Sequence, residues 1–217
     1  MQIALQHKFY RTCFDRRDLF KGMISKNTGE FNPKTCTVPK YMDAVITQAN
    51  GALNALPDGM FRWKPGNYVG DGFEIFVEAL IKLMGLHPDI GVADYVPQPG
   101  LDNGVDGVGK SILGLHTFTV QAKYRPRDDI ELSAAKDRLD SFFSSSIIHH
   151  GIQPKWNAAG EWDGERQMLV ITTAAGIAEY TENTKFKGSM RCLRAKWFSD
   201  NINGNTAFWK QFHDLMI

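Results

Sequence analysis

Cysteine is scarce. The 217 residues include three, Cys13, Cys36 and Cys192, an odd number with no C-x-x-C pair and no histidine at zinc-finger spacing. This argues against a disulfide framework or a structural zinc site. Long apolar runs are missing too. No stretch approaches the roughly eighteen apolar residues of a membrane span, and the opening MQIALQHKFYRT turns polar too early for a secretory signal. The expectation is a soluble protein of the cytoplasm, the host's if the source is viral, with no membrane partner. A net charge of one sign is also lacking, with 25 Lys and Arg against 24 Asp and Glu. Low-complexity sequence and internal repeats are absent, and 43% hydrophobic with 12% aromatic residues excludes a disordered chain and predicts a packed core.

What charge there is, is segregated. Residues 1–65 hold ten Lys and Arg against five Asp and Glu, residues 185–217 hold six against two, and the stretch between is acidic. Basic ends around an acidic centre suit a chain that grips a polyanion at its ends and gathers carboxylates around metal between them. The same pattern is open to a plainer reading as ordinary solvated surface.

Apolar periodicity orders the elements. Met42, Val45, Ile46, Ala49, Leu53 and Leu56 recur at helical spacing before Pro57 and Gly59. FRWKPGNYVGDG then has the turn residues of a linker. From Asp71, the residues Phe73, Phe76, Val77, Leu80, Ile81 and Met84 form a helical stripe that stops at Gly85. GVADYVPQ, GVDGVGKS and HTFTVQAKY read as three strands. A second helix is expected from about Glu131 to Ile148, with Asp128 as a cap. After a loop over residues 152–166, QMLVITT reads as a buried strand, AAGIAEYTENT as a helix, SMRCLRAKWF as a strand and NTAFWKQFHDLM as a last amphipathic helix. The order predicts an α/β domain with a mixed sheet between helices, residues 66–217, preceded by a basic helical extension, residues 1–65, with a DNA-binding or dimerising role.

Chemistry concentrates in the three-strand region. Asp106 begins a short strand, and Gln121 and Lys123 lie two apart on the next, so their side chains share one face. A lysine in a strand otherwise made of Phe118, Val120 and Ala122 is costly to bury unless it faces carboxylates. Asp106 and Glu74 supply such a cluster, and Glu78 or Asp102 remain open as substitutes for Glu74. Mg2+ takes a few hard oxygen ligands and keeps several waters. The Asp106 carboxylate, the Gln121 amide oxygen, the Ala122 carbonyl and Glu74 are the candidate ligands, with Mn2+ as a substitute ion. Lys123 then holds or helps deprotonate an attacking water. Arg125 and Arg127, just past that strand, are candidates for phosphate contact, as are Arg16, Arg17 and Lys187 in the basic ends.

These motifs resemble the PD-(D/E)XK nuclease superfamily, and within it the Mrr-like restriction endonucleases that carry Q-x-K. The resemblance rests on GDGFE at residues 70–74, LMG at 83–85, DNGVDGVG at 102–109, LGLHTFTVQAKYR at 113–125 and LVITTAA at 169–175. It covers roughly residues 70–198. It implies a restriction-endonuclease-like core and Mg2+-dependent hydrolysis of DNA phosphodiesters. Asp106, Gln121 and Lys123 would form the centre, with Glu74 as a helix-borne helper. Cutting both strands implies a homodimer or higher homo-oligomer. The other class kept open is a non-catalytic DNA-binding protein with the same fold.

Residues 104–111, GVDGVGKS, also spell the Walker A pattern of a P-loop NTPase. The flanks argue against that reading, because the upstream segment is turn-like and no helix opens after Ser111. Other polar groups read as structural. His149 and His150 are placed to face a helix end, with contact to DNA phosphate as the alternative. Ser144, Ser145 and Ser146 lack a nucleophile elbow, and Thr172 and Thr173, at the end of a buried strand, are placed to satisfy backbone groups or to contact substrate.

Overall fold

The structure, a computed structural model, describes residues 5–7, 15–54, 65–98, 104–178 and 188–217. The chain is of the α/β class and divides into two compact units, Met1–Leu83 with Trp197–Ile217, and Met84–Lys196. Among the described residues, no helix is long and apolar enough to cross a membrane.

The first unit is helical. It contains α1 (Arg16–Leu19), α2 (Val38–Asn54), nearly all of α3 (Pro65–Met84) and α6 (Thr206–Met216), and α5 (Ala195–Asn201) leads into it. Helix α2 forms because Val38, Met42, Val45 and Ala49 repeat every three or four residues, and all four are buried. Its first N–H is capped by Asn203 Oδ1 at 2.9 Å, a cap from 165 residues away. Asn205 caps α6 by accepting from Phe208 N–H at 3.1 Å. The core is aromatic: Phe76 is fully buried and lies within 6.1 Å, centroid to centroid, of Tyr41, Phe73, Phe198, Phe208, Trp209 and Phe212. Burial of one such ring is worth about 1.5–3 kcal/mol, and favourable ring pairs add about 0.5–1.5 kcal/mol each.

Helix α3 begins at Pro65, six residues before the sequence pattern places it. Its first turns are therefore helix where the sequence reads as a linker. Proline fits the first helical position, where its missing N–H has no partner to lose, and burial of Tyr68, Phe73 and Phe76 outweighs the poor propensity of Gly66, Gly70 and Gly72.

The second unit is built on a five-stranded mixed sheet in the order β1-β2-β3-β5-β7. Its strands are β1 (Val92–Pro97), β2 (Gly107–Ser111), β3 (Thr117–Lys123), β5 (Met168–Thr172) and β7 (Met190–Leu193). β1, β2 and β3 form an antiparallel meander, and β3, β5 and β7 run parallel. Strand β5 is buried along its whole length, as its unbroken apolar run predicts for a central parallel strand. The parallel step from β3 to β5 crosses over through β4 (Glu131–Leu132) and α4 (Leu139–Ile148). This helix covers one sheet face, where Phe142 and Phe143 join Met168, Val170 and Met190 in one core.

The structure departs from the sequence pattern at three further elements. The helix expected from Glu131 starts at Leu139, and Asp128 does not cap it. Glu131 and Leu132 instead pair in parallel with Gly176 and Ile177, which form β6. Ser133 N–H is held by Asp137 Oδ2 at 2.6 Å, closing a turn before the helix. The same pairing makes Gly176 and Ile177 strand where a helix is expected, and residues 179–184 of that expected helix lie outside the described residues. The strand expected over residues 189–198 ends at Leu193, and Ala195–Asn201 is helical, its first N–H donating to Ala174 O at 2.9 Å. In each case a long-range backbone partner decides the conformation, which local propensity does not see.

Candidate metal centre

Two glycines bring β1 and β2 close together ahead of the Q-x-K strand. A Cβ on Gly107 would run into the Tyr95 ring, and one on Gly109 into the Val92 side chain and within 2.8 Å of Ala93 O. Strand β2 is therefore pressed against β1 on one edge and paired with β3 on the other, with Gly107 opposite Val120. Asp106 stands one step before that pair. Its N–H donates to Val120 O at 2.9 Å, and its carboxylate accepts from Ala122 N–H at 2.6 Å. The aspartate side chain thus continues the ladder where β2 has not yet begun. Since a strand residue turns its N–H and C=O to the same edge, the Ala122 carbonyl shares the edge that Asp106 occupies.

Strand alternation sets the faces. Thr119 Oγ1 hydrogen-bonds Ser146 of α4 at 2.8 Å, so Gln121 and Lys123, two and four residues further along β3, belong to the α4 face as well. Val108 packs against the core on that face, and Asp106 precedes it by two. Asp106 and the Q-x-K pair therefore converge at the end of the sheet where β2 begins and β3 ends. Asp106 is 7% exposed and Gln121 fully buried, while Lys123 is half-buried at the strand end.

Gln121 is the unusual member. Neither its Oε1 nor its Nε2 has a hydrogen-bond partner among the described residues, and the positive-φ Gly104 leaves space beside it, a Cβ there lying 3.3 Å from Nε2 and 3.1 Å from the Phe142 nitrogen. A buried primary amide without partners costs about 1–3 kcal/mol, and such groups call for a water or an ion. No family model, curated protein or solved structure matches this chain. A carboxylate, an adjacent backbone carbonyl and a buried amide oxygen make an all-oxygen donor set, which fits Mg2+ or Mn2+ better than a soft metal.

Glu74 lies on α3 in the helical unit. Its Oε2 is 2.9 Å from His7 Nε2, and His7, Asp71 and Glu74 form a cluster of their own with donor atoms within 4.8 Å of one another. Glu78 is fully buried. It accepts from the backbone N–H groups of Gln6 at 2.5 Å and His7 at 2.7 Å, and it pairs with Lys82 at 2.7 Å, which makes it the anchor of the segment around His7. Asp102 and Lys187 lie outside the described residues.

The arginines past β3 are engaged by carboxylates. Arg125 is ion-paired with Asp137, donates to Tyr124 O at 2.8 Å, and has its pKa lowered by burial. Arg127 forms a two-point pair with Asp129 at 2.9 and 2.6 Å, which raises its pKa. Arg16 and Arg17 are exposed on α1. Thr172 Oγ1 donates to Lys123 O at 2.6 Å and Thr173 Oγ1 to Arg125 O at 2.7 Å, so both threonines satisfy backbone carbonyls at the end of the strand. Two open grooves, of about 380 and 350 Å3, lie around His116, Leu115 and Glu165 at the opposite end of β3, and neither is lined by Asp106, Gln121 or Lys123.

His7 is the residue that sequence reading missed. It stands 67 residues before Glu74 with no motif around it, and the only local signal is that Asp71, Glu74 and Glu78 lie one turn apart on a helix face.

Proposed function

We propose that this chain is a metal-dependent DNA endonuclease whose centre is Asp106, Gln121, Ala122 and Lys123. The observation that carries the reading is the meeting of the Asp106 carboxylate with β3 at Ala122, between a buried amide that has no partner among the described residues and a half-buried lysine. The order of α3, three antiparallel strands, α4 and a parallel strand supports the restriction-endonuclease-like core that the motifs imply.

The Asp106 carboxylate, Gln121 Oε1 and the Ala122 carbonyl would hold Mg2+, or Mn2+ in its place. That ion, when bound, supplies positive charge to the scissile phosphate and lowers the pKa of a coordinated water. Asp106 is fixed for this task by its bond to the Ala122 N–H. Lys123 supplies the charged donor: its ammonium would donate to the attacking water and to the phosphate oxygen on which charge develops, and the proton the water loses would pass to bulk solvent. Glu74 stands outside this set, because its carboxylate is hydrogen-bonded to His7. Cutting both strands would take two copies of the chain.

The test is cleavage of supercoiled, linear and branched DNA with Mg2+, Mn2+ or EDTA. Cutting should need the metal, and Lys123→Ala should slow it by about 10²–10³-fold, the usual scale for loss of one donor that stabilises developing charge. Metal-dependent cutting at the wild-type rate by Lys123→Ala would refute the assignment.

A further inference from the structure

The helical unit holds a second group of ligands that the endonuclease reading does not use. Asp71 and Glu74 are three apart on α3, so their carboxylates sit on one helix face and repel each other. His7 is brought over them by a purpose-built anchor: buried Glu78 accepts both the Gln6 and the His7 backbone N–H groups, and Lys82 balances its charge. The His7 side chain is 3% exposed, while that of Glu74 is 25% exposed, leaving one side open to water. The three donor atoms lie within 4.8 Å of one another, and one pair is already at 2.9 Å. Ligands about 2.1 Å from one ion stand roughly 3.0–3.4 Å apart in octahedral or tetrahedral geometry. A small rotation of the Asp71 and Glu74 side chains closes the difference.

We infer that His7, Asp71 and Glu74 bind one first-row divalent cation of the Mn2+, Co2+ or Zn2+ class. One imidazole with two carboxylates is a mixed nitrogen and oxygen set that these ions accept and Ca2+ does not favour. His7 binds through Nε2, which must carry no proton, so the ring keeps its hydrogen on Nδ1 in the bound form. Water fills the remaining positions on the open side. The ion cancels the repulsion between Asp71 and Glu74 and ties the chain around residue 7 to α3. The site uses none of Asp106, Gln121 and Lys123, so it stands or falls apart from the endonuclease reading.

The experiment uses the full chain carrying Asp106→Asn, which removes the sheet-borne carboxylate, stripped with EDTA and titrated with Co2+ by calorimetry and visible absorption. One Co2+ per chain with d–d bands is expected, together with a rise in melting temperature. Added His7→Gln or Asp71→Asn should each weaken binding by more than about tenfold, a loss that even an outer partner of a ligand brings. Asp71→Asn is conservative and keeps the test valid if His7→Gln fails to fold. Absence of bound Co2+ in the Asp106→Asn chain, or equal affinity after Asp71→Asn, would overturn the site. DNA cleavage, present or absent, bears only on the endonuclease reading.

Discussion

Replacing Gln121 with leucine separates a structural amide from a metal ligand. The side chain is fully buried, and its two polar atoms lack partners among the described residues. Burial of an unpaired amide costs about 1–3 kcal/mol by mutational measures, and leucine is close in volume and apolar, so it removes that cost without leaving a hole. In EDTA the variant should therefore be more stable than wild type by about 2 kcal/mol. That corresponds to roughly 4–8 °C in melting temperature for a chain of this size. In Mg2+ the same variant should lose cleavage, because an oxygen ligand has gone. Urea unfolding in EDTA, read by circular dichroism, and plasmid cleavage in Mg2+ give the two numbers. A Gln121→Leu chain that is less stable in EDTA, or that cuts at the wild-type rate, would refute the argument, since the amide would then be doing something other than waiting for an external partner.

Two further outcomes follow from packing and titration. Gly109→Ala should destabilise the fold by about 1–3 kcal/mol, because its methyl group meets Val92 and the Ala93 carbonyl across the β1–β2 pair; an unchanged urea midpoint would show that β1 yields more easily than this contact implies. The His150 imidazole is held below the ordinary histidine value of 6.5, first by burial and then by neighbouring His149. A base with a depressed folded pKa contributes stability above the unfolded value and loses it as pH falls, so His150→Gln should flatten the decline in stability below about pH 6.5. Parallel pH curves for the two proteins would contradict this.

Where a segment's own side chains decide its fate, the sequence is readable. The stripe of α3, the unbroken apolar run of β5, the three strands that follow α3 and the last amphipathic helix, α6, all appear in the structure as the pattern implies. Glu131, Leu132, Gly176 and Ile177 behave otherwise, because two short segments 45 residues apart choose each other as strand partners, and helical spacing of Leu132, Ala135 and Leu139 has no means of recording that. The candidate centre divides in the same way. Gln121 and Lys123 are two apart on one strand, so their common face follows from period two alone. The Asp106 bond to Ala122 N–H depends on where β2 begins, and the capture of Arg125 by Asp137 on a turn formed after β4. Glu74 is the sharpest case: the resemblance gives it to Mg2+, and the fold puts His7 on its carboxylate.

The GVDGVGKS stretch shows why a motif is weaker than its neighbours. A phosphate cradle needs glycines that turn the chain so that successive N–H groups converge, followed by a helix N-terminus. Here residues 107–111 are extended, paired on both edges and followed by a turn into β3, so their N–H groups alternate outward to β1 and β3. Gly107 and Gly109 are small because Tyr95 and Val92 lie where side chains would be. Lys110, the lysine of the pattern, is exposed within β2 itself and has no loop to close. The letters of a nucleotide loop are thus met by the requirements of a tight strand pair, and the residue that would be least welcome among phosphates, Asp106, is the one this strand holds against Ala122.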